Sequence, residues 1–502
     1  MIGGCIPACY SVRVPTDTPS PHPRGLYTLF FTEMWERMSF YGMRGLLILF
    51  MKDQLERGGL GLNEKTASAI YGLYTAAVYL AALPGGWIAD RLIGAQRAVW
   101  VGGLLIAAGH FTLAVPTVQT FYLGLVLVVL GTGLLKPNIS AVVGSLYPEG
   151  GARRDAGFSI FYMGINLGAF IGPLVCSALG EKVNWHYGFA AAGVGMVFGL
   201  VQFHLTRRHL GSAGAPPPHR GEATRRDWMV VAAAVGVIVV VVGLAFAGVF
   251  VIKPIVLARW TTVVIVAIAF AYFGGLFLVG GLDSTERKRV AVIAVLFVSA
   301  AMFWSGFEQA GSSLNLFAKE QTQRMIASLK FEIPAGWFQS LNAGFIILLA
   351  PVAAATWVAL GRRGRDPSLA TKMGLGLMLL AAGFFVLAIG AKRALAGGPV
   401  WPSWLIVTYL LHTLGELCLS PVGLSSVTKL APQRYVGQMM GVWFLAASLG
   451  NLIGGLIAGE VTGENAADMP AIFMQIVMTA GGTGLVLLVF AKPIRSLMPG
   501  IK

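Results

Sequence analysis

Apolar runs of about 20 residues recur from Leu26 to Phe490, and they constrain the fold more than any other feature of the chain. A helix of about 20 residues spans the hydrocarbon core of a bilayer, whereas a barrel strand needs about half that length and alternates in polarity. Only 12% of the 502 residues are charged, against about 25% in an average soluble protein. We therefore expect an all-α polytopic membrane protein with fourteen spans, at 26–51, 66–90, 98–115, 119–145, 155–178, 184–206, 228–250, 260–280, 290–318, 336–360, 373–391, 401–428, 435–459 and 469–491.

The spans form two groups of six, separated by a polar linker and two further spans. Residues 204–227, HLTRRHLGSAGAPPPHRGEATRRD, are rich in Pro, Gly and Arg and do not read as a membrane helix. The two spans after them carry no charge. They therefore indicate a packed accessory hairpin that takes no part in the chemistry of the protein. Two six-span halves are typical of the pseudo-symmetric major-facilitator fold. We divide the chain into a tail at 1–25, a first bundle at 26–206, a linker at 207–227, an inserted hairpin at 228–280, a connection at 281–289, a second bundle at 290–491 and a tail at 492–502.

Basic residues are distributed unevenly between the two sides of the predicted spans. Of 37 Lys and Arg residues, 23 fall in the tails and one set of alternate connections, and 11 fall in the other set. The positive-inside rule therefore predicts that both termini are cytoplasmic. Because topology accounts for most of the net charge of +15, we expect no nucleic-acid partner. The first 25 residues lack a charged region followed by an apolar one, so we expect no cleaved signal peptide.

Seven charged residues lie well inside the spans, where topology does not explain them. Each such charge costs ~2.5–3.5 kcal/mol at the bilayer centre, so an intramembrane charge indicates a functional site. The four cysteines show no metal-ligand spacing, and we expect no metal site. The seven residues are Glu33, Glu36, Arg37, Arg44, Lys136, Glu308 and Glu416.

Four of these charges lie in the first span, within and just after FTEMWERMSFYG. At 100° per residue they share, with two aromatic residues, a stripe roughly 140° wide on one helix face. Glu33 precedes Arg37 by four residues, which is the favourable order for an ion pair. Since lipid does not solvate such a stripe, we expect it to face the bundle interior or a water-filled path. Its members are Glu33, Glu36, Arg37, Phe40, Tyr41 and Arg44.

The intramembrane charges differ between the two predicted bundles. The first bundle contributes three cations and two acids, whereas the second contributes only Glu308 and Glu416. A central cavity would then be positive on one wall and negative on the other, a field that suits a zwitterion with separated ends. A dipeptide or tripeptide spans about 7–11 Å at 3.3–3.6 Å per residue, which fits a gap between two facing bundles.

Five stretches resemble signatures of the proton-dependent oligopeptide transporter (POT) family, within the major-facilitator superfamily. They are EMWERMSFYG at 33–42, GTGLLKPN at 131–138, DAGFSIFYMGINLGAFIGPL at 155–174, FEQAGSSLNLFA at 307–318 and GELCLSPVGLSSVTKLAP at 415–432. The resemblance implies two six-helix bundles plus two inserted helices, as in the prokaryotic branch. It also implies a place in the bacterial cytoplasmic (inner) membrane and proton-coupled uptake of di- and tripeptides by alternating access.

The resemblance further implies roles for individual residues. Arg37 and Lys136 would receive the peptide carboxylate, and Glu416 would receive the amino group. Asparagines would bind the peptide backbone or its ends, and aromatic residues would shape the side-chain pockets. The remaining expected substrate-site residues are Tyr41, Arg44, Tyr79, Phe161, Asn166, Trp304, Glu308, Asn342 and Trp443.

Carboxylates of the same group would couple transport to protons. Burial raises the pKa of a carboxyl and a neighbouring cation lowers it, so Glu33, Glu36 or Glu308 would take up the coupling proton. Protonation of the first two would release Arg37 to bind the peptide carboxylate. The proton gradient would be the driving force, and we expect no cofactor.

The loop after the second span carries a further charged motif. GGWIADRLIGAQR at 85–97 resembles the major-facilitator loop signature. LGRRGRDPS at 360–368 is a weakly similar stretch after the equivalent span of the second half. We expect Asp90, Arg91 and Arg97 to act in gating, by locking helices when the cytoplasmic side is closed.

Several alternatives remain open at this stage. The same scaffold could carry another small anion or zwitterion, such as nitrate or a modified amino acid, or act as a proton/drug antiporter or a receptor. An intramembrane enzyme would use Ser312, Ser313 or Ser420 with His412, but their spacing matches no nucleophile elbow, so we expect no enzyme. We expect a monomer in contact with membrane lipid, with peptides and protons as its ligands.

Overall fold

The computed structural model describes residues 22–216, 222–461 and 468–498, with all side chains in these ranges except those at 222–223, 420–425, 428 and 460–461. Residues 1–21 of the first predicted tail and 499–502 of the second therefore lie outside the described residues. The helices are α1 (Arg24–Lys52), α2 (Glu64–Ile88), α3 (Ala95–Leu113), α4 (Val118–Ser145), α5 (Gly151–Lys182), α6 (Trp185–Thr206), α7 (Glu222–Phe246), α8 (Pro254–Val279), α9 (Ser284–Phe307), α10 (Ser313–Glu320), α11 (Ser340–Arg362), α12 (Leu369–Gly397), α13 (Ser403–Leu430), α14 (Val436–Val461), α15 (Met469–Val489) and α16 (Ala491–Ser496).

Each of the fourteen predicted spans coincides with one long helix, with α9 and α10 joined by the 3-10 turn Glu308–Gly311. Eleven helices of the described chain are long and apolar enough to cross a membrane. Helix α1 is not among them, because every stretch of 18 residues in it contains at least three charges. The predicted all-α architecture is confirmed, and the polar character of α1 calls for a buried position.

The first bundle is built around α1, which packs against α5 and α6, while α3 packs against α4. Glycines on α5 let α1 approach closely. A Cβ atom on Gly168 would overlap the carbonyl oxygen of Met34, and one on Gly172 would overlap that of Met38. This close packing leaves α1 largely buried, with 22 of its 29 residues shielded from solvent. The second bundle is centred on α12, which packs against α13 and α15.

The two bundles meet along two seams, α2 with α14 and α5 with α11. On the first seam, a Cβ on Gly72 would lie 3.0 Å from the Cα of Gly455, so the two helix backbones nearly touch. Ser448 on α14 also donates a hydrogen bond to the carbonyl oxygen of Ala76 on α2, at 3.1 Å. Any cavity between the bundles is therefore bounded by these two seams.

The inserted helices differ from the predicted packed hairpin. Only α8 packs well, against both α2 and α14, through a stripe that includes Ala258, Ile265 and Leu276. Most described side chains of α7 are exposed, as expected for a helix that faces lipid. Helix α7 also begins at Glu222, inside the predicted linker.

We call the side where α1 begins the terminal face and the side where α1 ends the opposite face. The opposite face carries a short antiparallel hairpin, β1 (Met325–Ile326) and β2 (Phe331–Glu332). Three ion pairs join the two bundles there. They are Lys52–Glu320 at 2.9 Å, Lys182–Glu332 at 2.9 Å and Lys319–Glu181 at 3.3 Å.

Candidate substrate cavity and its charge pairs

A cavity of about 140 Å³ lies between the two bundles. Its walls come from α1, α2 and α5 of the first bundle and from α9, α11 and α13 of the second. The structure brings eight of the expected site residues together in its lining. They are Tyr41, Arg44, Tyr79, Asn166, Trp304, Glu308, Asn342 and Glu416.

The first charged pair in the lining joins the two bundles. Arg44 on α1 forms an ion pair with Glu308 at 2.7 Å, and its Nε donates a hydrogen bond to the Tyr71 hydroxyl at 2.5 Å. Both charged residues are buried, at 6% exposure each. The turn Glu308–Gly311 breaks the α9 helix here and allows Glu308 to reach Arg44. Breaking a buried pair by removing one partner is costly, so this contact ties α1 to the second bundle.

The second charged cluster lies on α1 alone, nearer the terminal face. Arg37 binds Glu33 at 3.0 Å and also forms an ion pair with Glu36. All three residues are buried, and Glu36 is fully shielded from solvent. The guanidinium also lies 5.4 Å from the centre of the Phe40 ring. The predicted pairing of Glu33 with Arg37 is present, but neither Arg37 nor its acids line the cavity.

The second bundle presents a carboxylate that is held by neutral groups. Asn342 on α11 donates hydrogen bonds to Glu416 at 3.0 Å and to the Thr413 hydroxyl at 3.1 Å, both on α13. Among the described residues Glu416 has no basic partner within ion-pair distance. Its negative charge therefore faces the cavity without a protein cation and suits an amine from the substrate.

Lys136 on α4 lies near the cavity but outside its lining. Its ammonium is 4.3 Å from the centre of the Tyr79 ring, and Tyr79 lines the cavity. Asn166, on the facing α5 helix, donates to the carbonyl oxygen of Tyr162 at 2.9 Å. A cation over an aromatic face gains ~0.5–2 kcal/mol, less than a full ion pair, so Lys136 is available to an anionic ligand.

Two expected pocket aromatics are not in the cavity lining. Phe161 is 3% exposed and packs in the core of the first bundle, with Leu26, Leu29 and other apolar residues. Trp443 on α14 is half-buried and packs against the main apolar core. The sequence pattern did not distinguish these core positions from the cavity wall, because core and pocket aromatics recur with the same helical spacing.

The charged loop after α2 forms an ion pair with the first inserted helix. Asp90 and Arg97 are exposed. Arg91 lies 3.6 Å from Asp227 at the start of α7 and 5.6 Å from the Trp87 ring. In this structure the loop is therefore tied to the inserted helices.

Sequence reasoning left five polar or aromatic lining residues out of the expected binding site. Two of them share a helix face with an expected residue: Tyr162 precedes Asn166 by four residues, and His412 precedes Glu416 by four. Helical spacing was the signal that could have found both. The others are Phe307, Gln339 and Tyr409.

The hydroxyls of the enzyme alternative are engaged elsewhere or buried. Ser313 donates to the Gln309 side chain at 2.8 Å, and Ser312 is 1% exposed. The side chain of Ser420 lies outside the described residues. His412 packs its ring against Phe384, with 4.7 Å between ring centres. The described residues thus do not pair His412 with a serine nucleophile.

Comparison with known proteins identifies the family. The POT family model, PTR2, matches residues 96–472. Peptide transporter YePEPT from Yersinia enterocolitica is 45% identical over 507 residues, which cover 97% of this chain and 98% of the relative. The di-/tripeptide transporter of Lactococcus lactis subsp. cremoris is 37% identical over 493 residues, with 96% and 97% covered.

A solved structure of a peptide transporter POT in complex with sulfate has the same fold. It superimposes with a TM-score of 0.88 at 43% identity, covering 95% of this chain and 96% of the other. The major-facilitator arrangement with two inserted helices is thereby confirmed. The protein is a multi-pass membrane protein, and the chain belongs to the POT family, as its motifs predicted.

Proposed function

We propose that this chain is a secondary active transporter that takes up di- and tripeptides together with protons by alternating access. The observation that carries the proposal is the cavity between the bundles, whose lining holds the Arg44–Glu308 pair and an uncompensated Glu416. Relatives named as peptide and di-/tripeptide transporters match almost the whole chain. A transporter of this kind is not an enzyme and needs no cofactor.

The charges suggest how a peptide would lie in the cavity. Its amine would bind Glu416, next to the amide of Asn342, and its carboxylate would point toward Arg37 and Lys136. Along α1, Arg37 lies seven residues nearer the terminal face than Arg44, a helical rise of about 10 Å. A bound dipeptide or tripeptide, with a span of about 7–11 Å, would extend from Glu416 toward this part of α1.

The cluster of Glu33, Glu36 and Arg37 would couple transport to protons. In the charged state both acids hold Arg37 on α1. Uptake of a proton removes one negative charge from a site shielded from solvent. N–H donors of the guanidinium then become free to bind the substrate carboxylate. After peptide and proton leave, the ion pairs re-form and the empty carrier returns.

We assign the terminal face to the cytoplasm of a bacterial inner membrane, from the excess of basic residues on that side. The three ion pairs between bundles then close the outer face in this structure. The cavity is complete within one chain, so we propose a monomer as the working unit.

Uptake into proteoliposomes tests the proposal directly. Labelled dialanine and trialanine are supplied under an inward proton gradient, with an imposed membrane potential, and with a protonophore as control. We expect accumulation above the outside concentration that collapses with the protonophore. Excess nitrate and a typical cationic drug serve as competitors for the alternatives. The proposal would be contradicted if these compounds, but not unlabelled dialanine, inhibited uptake. Uptake that does not depend on the proton gradient would also contradict it.

A further inference from the structure

Gln339 lines the cavity, and neither the signature motifs nor the charge pattern points to it. It is half-buried, at the junction where the turn Ala335–Gln339 passes into α11. Its side-chain nitrogen is shielded from solvent, and no described residue accepts a hydrogen bond from it. A buried polar group without a partner costs ~1–3 kcal/mol, so its position on a cavity wall needs a reason.

The chain around Gln339 is held firmly in place by α5 of the first bundle. The Gly336 amide donates to Glu181 at 3.0 Å, and the Trp337 indole donates to the Leu174 carbonyl at 2.9 Å. The Ser340 hydroxyl donates to the Phe170 carbonyl at 2.7 Å. Since its neighbours on both sides are fixed, the amide of Gln339 is unpartnered within a rigid segment rather than a mobile one.

The amide lies where the amino half of a peptide would be bound. Gln339 has helical backbone angles and precedes Asn342 by three residues, so both side chains share one face, with roughly 5–6 Å between their Cβ atoms. Asn342 holds Glu416 at 3.0 Å. Helix α1 packs directly against this amide, because a Cβ on Gly45 would lie 3.7 Å from the Gln339 nitrogen. Gln339 thus lies one helical turn from Asn342, on the side of the opposite face. The first carbonyl oxygen of a bound peptide would point to that side while the chain continues from Glu416 toward Arg37.

We propose that Gln339 is a substrate-contacting residue whose side-chain nitrogen donates a hydrogen bond to the first peptide carbonyl of the substrate. The inference rests on the proposed peptide transport and adds a specificity element to it. In a peptide, the first carbonyl oxygen is two bonds beyond the α-carbon that carries the amine, so one molecule can reach both Glu416 and Gln339. Free amino acids lack an amide carbonyl at this position and would not make the contact in the same way.

The test compares wild type with Gln339→Leu in proteoliposomes, using dialanine and its thioamide, in which sulfur replaces the peptide carbonyl oxygen. Loss of one hydrogen bond should raise the KM for dialanine about 5- to 10-fold, with the maximal rate changed less than about twofold. Because sulfur is a poor acceptor, the thioamide should bind several-fold more weakly than dialanine to wild type. The two compounds should bind Gln339→Leu almost equally. Gln475→Leu, at an exposed glutamine on α15, is the control.

The inference would be overturned if the ratio of the KM for the thioamide to the KM for dialanine were the same in wild type and in Gln339→Leu. If Gln339→Leu does not insert or fold, Gln339→Met gives the same comparison with a more flexible side chain. If wild type takes up no dialanine at all, the proposed function fails first, so the two failures are distinguishable.

Discussion

Arg37 and Arg44 lie seven residues apart on α1, and both are buried, yet they bind their carboxylates in different ways. Arg37 pairs with Glu33 and Glu36 of its own helix, so its pairs move with the first bundle. Arg44 pairs with Glu308 of the second bundle, so its pair is strained or broken when the bundles separate. The first arrangement suits a local proton switch, and the second suits a link between occupancy and the movement of the bundles.

Removing the acid that binds Arg44 should have the largest effect. Glu308→Ala leaves a buried guanidinium without its counter-charge, which costs ~3–5 kcal/mol, and we expect a lower melting temperature and no transport. Glu149→Ala, at a half-exposed acid paired with Arg153 at 3.1 Å, is the matched control and should cost less than ~1 kcal/mol. Melting curves in detergent check both. A Glu308→Ala protein as stable as this control would break the comparison.

The two second-bundle acids should also respond differently. Glu416→Gln keeps an oxygen that accepts from Asn342, so we expect the fold to survive. It loses a charged hydrogen bond to the substrate amine, and the KM for dialanine should rise about 10- to 100-fold. N-acetyl-dialanine lacks the amine charge, so its inhibition constant as a competitor should change much less. If the affinities for both compounds fell equally, Glu416 would not be the residue that binds the amine.

A smaller effect is expected at the opposite face. Both carboxylate oxygens of Glu181 bind the second bundle, one to Lys319 and one to the Gly336 amide. Glu181→Gln keeps the amide contact and loses only the pair with a partly exposed lysine, worth less than ~1 kcal/mol. A change of that size raises the fraction of molecules in which the bundles are apart at the opposite face, by up to roughly fivefold.

Spin labels at exposed positions on the two bundles, Val183 and Leu329, report that population as a longer distance in pulsed electron resonance. The native cysteines are replaced first in both proteins. An unchanged distance distribution in Glu181→Gln would show that the contact does not hold the bundles together.

The smallest effect concerns pH. The hydrogen bond from Lys182 lowers the pKa of Glu332 below its ordinary value of 4.5. A depressed pKa means that this pair stabilises the closed opposite face at neutral pH and is lost only as the pH falls through that lower value. Lys182→Gln should therefore leave the pH profile of uptake unchanged from mildly acidic to neutral conditions. A shifted midpoint in initial uptake rates would place a coupling group at the opposite face.

The sequence predicted the spans and the α1 stripe because both follow from helical periodicity and the cost of charge in lipid. It predicted the Glu33–Arg37 pair for the same reason, since the partners are four residues apart. The Arg44–Glu308 pair was not predicted, because its partners are 264 residues apart and only packing brings them together. For the same reason the sequence did not separate Phe161 in the core from Trp304 in the cavity wall.

The sequence did not point to Gln339 or Glu181 either, and for both the reason is the same. Neither is an unexplained intramembrane charge, and neither belongs to a stretch that resembles a family signature. Their importance appears only when α5 and the segment before α11 are seen in contact. The partner of Arg91 was also unpredictable, because Asp227 belongs to the inserted helices and not to the bundles that carry the loop signature.

The central claim is that the Glu33–Glu36–Arg37 cluster couples protons to transport, and Glu36→Gln tests it most directly. The variant and wild type are reconstituted side by side, and two quantities are measured: accumulation of dialanine under a proton gradient, and exchange of labelled dialanine at equal concentrations on both sides. We predict that Glu36→Gln exchanges dialanine but no longer accumulates it, and that Glu33→Gln behaves in the same way. Uphill accumulation retained in both variants would contradict the account.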